Sequence, residues 1–229
     1  QQSGHGIRRD DRGQPAATRP RVEARGEATR RLTGPLARGQ CRDRDARVAA
    51  GGNGGEVTRW LNAIGVTVFM LKYRHADYGA PSPLQDALRA VRILRARAAE
   101  FGIKPDLIGM LGGSAGGHLT ASAGTLFDAP EGRTGAELDR TSGRPDFMVL
   151  IFPVITMQEP IGHGASRRAL LGENPGPEAR RRWSVDEQVT KDTTPAFLVH
   201  SAEDRVAVVE NSLLFYRAMR RAQAPIEMH

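Results

Sequence analysis

"DLIGMLGGSAGGHLTASAGTLF", Asp106–Phe127, decides how this chain folds. It opens on a short apolar run, "DLIGML", with the length and composition of a buried strand. It closes on "GGHLTASAGTLF", which has the composition of a helix. Between them Gly112-Gly113-Ser114-Ala115-Gly116 fits G-x-S-x-G. In a chain with 26 glycines that pattern alone is a weak match. A strand before it and a helix after it change its meaning. They make it a tight strand-to-helix turn that holds a serine hydroxyl above the sheet. The small residues at 112, 113, 115 and 116 allow a strained turn and close packing. At the start of the helix, the N–H of Ala115 points at any oxyanion that forms there.

The flanking sequence repeats the alternation. "EVTRWLNAIG" places Val57, Trp60, Leu61 and Ile64 on one helical face and stops at Gly65. "VTVFMLKYR" is a continuous apolar strand. Leu84, Leu88, Val91 and Leu94 form a helical stripe that ends by Gly102. "DFMVLIFPVI" and "AFLVHSAED" are further strands, and "VENSLLFYRAMRRA" is an amphipathic helix. Residues 156–194 are polar and irregular with short helices, and "PIEMH" begins a last strand. Strands apolar on both faces, alternating with helices, predict a mainly parallel sheet covered by helices on both faces. In such a sheet the site lies beyond the carboxyl ends of the strands. Ser114 and the loop after Val199-His200 both fall there.

A serine needs a base and an acid that orients the base. "HSAEDRVAVVENS" offers Glu203 and Asp204 after a buried strand, with Asp204 preferred. The histidines are His5, His75, His118, His163, His200 and His229. His118 lies inside the helix after the serine. His200 precedes the acid and reads as a loop brace. His163 lies in the irregular segment, and His229 lies in the last strand rather than the loop beyond it. No catalytic histidine is therefore expected in this chain. The His, Asp and Glu positions show no metal-ligand spacing, and the chemistry needs no cofactor.

The formal charge of +7 invites a nucleic-acid partner. Residues 1–50 carry 12 Arg against 6 Asp and Glu, so they account for nearly all of it. The body lacks the aromatic-interleaved basic patch of a strand binder, so no nucleic-acid partner is expected. No apolar run is long enough to cross a membrane, and Cys41 stands alone. Residues 1–55 contain no Phe, Tyr, Trp or Lys and no strand or helical period. They read as a low-complexity segment, either a natural basic arm or a translation artefact such as a frameshift. The abrupt change near Gly51–Gly55 favours the second. Residues 56–229 read as a partial α/β domain.

"GGSAGGHL", "PLQDALRAVR", "RRALLGENP", "RWLNAIGVTVFMLKYR" and "FLVHSAEDRVAVVENSLLFYRAMR" together resemble the α/β-hydrolase carbohydrate esterases of the bifunctional acetylxylan/feruloyl esterase type. The resemblance runs in one order from about Gly55 to His229. It implies a serine esterase acting on small-molecule or carbohydrate acyl esters, with Ser114 as nucleophile, Asp204 as triad acid and Ala115 N–H in the oxyanion hole. Two departures stand out. The glycine turn that supplies the second oxyanion N–H in that family falls here at "DARVAAGGNGGEV", with no apolar strand before it. The loop that carries the base is absent. The resemblance thus implies an α/β-hydrolase incomplete at its N-terminal strands and its last strand. An inactive fragment, or a prolyl-peptidase-like or lipase-like hydrolase, is the alternative.

Overall fold

The computed structural model describes residues 21–23, 44–50 and 54–229. A seven-stranded sheet organises them in the order β1-β3-β2-β4-β5-β6-β7. The strands are β1 (Arg21–Glu23), β2 (Arg44–Ala50), β3 (Thr67–Lys72), β4 (Ile103–Gly113), β5 (Phe147–Ile151), β6 (Ala196–Val199) and β7 (Ile226–Met228). Only the β1–β3 pair is antiparallel. The mainly parallel sheet expected from the apolar runs is present.

Helices α2 (Ser82–Ala96), α4 (Ala115–Thr125) and α7 (Glu210–Arg221) pack on one face. The stripe Leu84, Leu88, Val91 and Leu94 is fully buried there against Ile108 and Met110 of β4. Along α7, Phe215 and Met219 are buried against Met148, Leu150 and Leu198. Fully burying one such side chain is worth about 1.5–3 kcal/mol, so these two clusters dominate the fold. Helix α1 (Gly54–Ala63) covers the other face, where Leu61 and Val57 meet Val68 and Leu111. The register explains the division. Met110, Met148 and Ala196 share one row, while Leu111, Val149 and Phe197 share the next and point the other way. The short helices α3 (Ala98–Phe101), α5 (Gly164–Leu171) and α6 (Pro177–Trp183) complete the set, the last two within the irregular 156–194 stretch.

The sequence reading finds no strand before residue 55, and there the structure differs. β2 is a central strand, paired in parallel with both β3 and β4. Its "RDARVAA" sequence shows little apolar alternation, because its ladder comes from two strong neighbours rather than from its own propensity. A strand therefore does precede Gly51-Gly52, contrary to expectation, and one of the supposedly missing N-terminal strands is in place. Apart from β1, β2 and Gly54-Gly55, the 1–55 segment, including His5, Cys41 and Gly51–Asn53, lies outside the described residues.

Candidate active site

Ser114 sits between the end of β4 and the start of α4 with φ 51° and ψ −121°. A side chain in this region costs energy, so the surroundings must hold it there. Three backbone hydrogen bonds do so. The Ser114 N–H donates to Ile151 O at 3.1 Å, and its C=O accepts from His118 N and Val154 N, each at 3.1 Å. The turn also needs absent atoms. A Cβ on Gly112 would collide with the Gly116 carbonyl, and one on Gly117 would lie 2.7 Å from Pro153 Cβ. Only glycines let α4 start this close to the sheet. Ala115 is exposed and opens α4, so its N–H has no acceptor within the helix.

Asp204 lies in the loop after β6, at the same sheet edge. β5 joins the two places: Ile151 accepts from Ser114 N, and Phe152 N donates to Val199 O at 2.8 Å. Asp204 Oδ1 accepts from Val206 N at 2.8 Å and Ala207 N at 3.0 Å. The Val206 N–H holds its carboxyl below the usual carboxylate range, with Ala207 N–H and the His200 imidazole adding to the effect. The carboxylate is thus fixed in place by its own loop. Glu203 is exposed and makes no comparable side-chain contact.

His200 braces that loop. Its Nε2 donates to Ala207 O at 2.7 Å, because a carbonyl can only accept. Its Nδ1 therefore accepts from the Ser212 hydroxyl at 2.6 Å. Asp204 Oδ2 is 3.7 Å from Nε2. Asn211 extends the brace. Its Oδ1 accepts from Ile155 N and Thr156 N, and its Nδ2 donates to Val208 O. Asn211 and Ser212 were not singled out in the sequence. Polar residues in the first turn of an amphipathic helix look solvent-facing, yet both are fully buried.

The remaining described histidines make no hydrogen bond to Ser114, although His163 adds to the effect that holds the Asp204 carboxyl low. Burial pushes the His118 imidazole down to about 4, and its Nε2 donates to Trp183 O at 2.9 Å. His163 caps α5 through Nδ1, 2.9 Å from Ser166 Oγ. His229 pairs with Glu227, and His75 packs edge-on to Tyr73. Among the described residues no imidazole is hydrogen-bonded to Ser114, and no His, Cys, Asp or Glu group could hold a metal ion. No described helix is long and apolar enough to cross a membrane.

A cavity of about 370 Å3 opens beside Ala115, walled by α2, α4, α5 and Trp183.

Residues 50–219 match the BD-FAE family. The chain belongs to the BD-FAE family. Among curated relatives, it is 37% identical over 165 residues to endo-1,4-beta-xylanase B of Butyrivibrio fibrisolvens, covering 70% of this chain and 26% of that one. It is 32% identical over 173 residues to the acetylxylan esterase of Xylanibacter ruminicola, covering 74% and 34%. The chain thus spans about a quarter to a third of the curated relatives it matches. The crystal structure of an acetyl ester-xyloside bifunctional hydrolase from Caldicellulosiruptor lactoaceticus superposes with a TM-score of 0.77 at 39% identity, covering 83% of this chain and 73% of that one. The fold is that of the α/β-hydrolases.

Proposed function

We propose that this chain is the ester-cleaving domain of a serine hydrolase that removes acetyl or related acyl groups, with a carbohydrate such as xylan as the acylated substrate. The observation that carries this is the strained Ser114 turn, tied through β5 to the Asp204 loop. Names of relatives supply the substrate class: one is an acetylxylan esterase and another a xylanase.

In this reading Ser114 Oγ attacks the ester carbonyl and gives its proton to an imidazole. The Ala115 N–H receives the oxyanion, helped by the α4 dipole. The alcohol leaves with that proton, and water then cleaves the acyl-enzyme. Asp204 orients the imidazole and stabilises its charged form. No described imidazole is hydrogen-bonded to Ser114: His118, His163, His200 and His229 hydrogen-bond elsewhere, and His75 packs against Tyr73. That favours the alternative of an inactive chain: among the described residues the acylation site is built, but no imidazole is placed as its base. Loss of a triad member costs roughly 10⁴–10⁶-fold in kcat.

The test is hydrolysis of p-nitrophenyl acetate with and without added imidazole as a replacement base. The chain alone should be nearly inactive. Imidazole should raise the rate above its own background, and Ser114→Ala should remove that increment. Strong hydrolysis without imidazole, abolished by Ser114→Ala, would show that one of the chain's own histidines serves. Hydrolysis that survives Ser114→Ala would remove the serine from the mechanism.

A further inference from the structure

Helix α5 is the least anchored wall of the cleft beside Ala115, and one histidine fastens it. Ala165, Ser166, Ala169 and Leu170 place α5 along that cleft. The other helical walls, α2 and α4, are buried over much of their length, whereas none of the eight residues of α5 is buried. Leu170 and Leu171 touch the core only as half-buried side chains. So short a helix depends on how its ends are held. At the C-terminal end Leu170 O accepts from Ala80 N at 2.8 Å. At the N-terminal end the clasp is His163. Its Nδ1 accepts from Ser166 N at 3.4 Å and lies 2.9 Å from Ser166 Oγ. A backbone N–H can only donate, so Nδ1 is bare and the proton sits on Nε2. Ser166 N is a first-turn amide with no acceptor inside the helix, and this bond is its cap.

A second proton undoes the clasp, because it turns Nδ1 from acceptor to donor. The Ser166 hydroxyl can rotate and accept that proton, but the Ser166 N–H cannot. The cation also stands at the positive end of the α5 dipole. Charges around the ring pull in both directions. Arg168 Nη1 lies 3.5 Å from where a Cβ on Gly164 would stand, and Arg167 is held to Glu159 at 2.6 Å. The two arginines oppose a proton on His163, while Glu159 and Asp204 favour it. Asp204 is within electrostatic reach: behind the Val206 N–H, the Ala207 N–H and His200, the His163 imidazole also lowers its carboxyl. His200, on the acid loop, has both ring nitrogens bonded, to Ser212 and Ala207. We propose that His163 is a proton-operated catch on α5: neutral, it fastens the first turn and holds the cleft wall in place; protonated, it is drawn toward the Asp204 carboxylate and releases that turn. Histidine changes charge between about pH 5 and 8, so the wall is firm at the upper end and loosens as pH falls. The catch acts on the wall whatever is cleaved beside it, and stands apart from the esterase reading.

Native-state hydrogen exchange on the full chain reads the catch, as protection factors corrected for the intrinsic pH dependence of exchange. Between about pH 8 and pH 5, protection at amides 166–168 should fall about tenfold, from one lost cap and a charge set against the dipole. Amides 119–123 of α4 should hold steady. His163→Asn offers a cap acceptor that carries no charge. Its protection at 166–168 should no longer depend on pH, staying at the upper level where asparagine caps and at the lower level where it does not. Asp204→Asn keeps an oxygen for Val206 N and Ala207 N but removes the charge, and should move the change to lower pH. Equal wild-type protection at both pH values would overturn the proposal, as would a pH dependence that survives His163→Asn. A parallel fall at 119–123 would assign the change to the whole fold and overturn it too. A change at the same pH in Asp204→Asn would overturn the coupling to the acid loop.

Discussion

The serine turn and the acid loop lie at the same edge of the sheet, but they are fixed by opposite means. The turn at Ser114 is held by backbone bonds and by atoms that are missing at Gly112 and Gly117. The loop at Asp204 is held by side chains that are present: His200, Asn211 and Ser212. One site should therefore fail when a carbon is added, and the other when a polar atom is removed. A strained turn cannot be stabilised from within, because its cost lies in its own dihedral angles. It needs close, rigid neighbours. A relaxed loop needs only its hydrogen bonds satisfied.

The sharpest way to break the comparison is Gly112→Ala. The added Cβ meets backbone, the Gly116 carbonyl, and also comes within 2.5 Å of Thr120 Oγ1. Backbone cannot swing aside, so the start of α4 must lift from β4. We expect a loss of about 3 kcal/mol or more, in the upper range for overpacking. Thermal unfolding should fall by roughly 6–12 °C. A midpoint within about 2 °C of the parent would mean that α4 is not held as tightly as the geometry says.

Removing a polar atom from the loop should cost less. Asn211→Ala deprives Ile155 N and Thr156 N of their acceptor, while Val208 O keeps the Asn211 backbone N–H. Each buried group left unpaired costs about 1–3 kcal/mol, softened where water enters the space left behind. We expect about 2 kcal/mol from denaturant unfolding, with faster hydrogen exchange at residues 155 and 156. A loss larger than that of Gly112→Ala would reverse the ranking of the two sites. Unchanged exchange at those two amides would deny Asn211 its bracing role.

How far each region could be read in advance follows from the same contrast. The turn was legible because its requirements are local: small residues at fixed offsets, an apolar run before and a helix after. The position of Asp204, in the loop after a buried strand, was legible for a similar reason. Asn211 and Ser212 were not, because their partners lie far off in sequence, at residues 155, 156 and 200. Periodicity along α7 describes its apolar face and is silent on polar side chains buried at its first turn. β2 was missed because a central strand can borrow its order from β3 and β4. The cavity was missed because its wall draws on segments from Tyr73 to Trp183, none of which carries a pattern alone.

The smallest expected effect separates strain from chemistry at Ser114. At φ 51° and ψ −121° any residue with a Cβ is strained, and glycine is not. Ser114→Gly removes that strain but gains chain entropy in the unfolded state, which offsets part of the gain. The net should be a stabilisation of about 1 kcal/mol, a rise of roughly 2–4 °C in the unfolding midpoint. Ser114→Ala keeps its Cβ and should show no such rise, although both variants lack the hydroxyl. Thermal melts of the two, run side by side, distinguish the cases. If glycine is no more stable than alanine, the turn is relaxed, and the difference between it and the acid loop is one of packing alone. If glycine is more stable, the serine is kept against the preference of its own backbone, as expected where a hydroxyl is held for reaction rather than for stability.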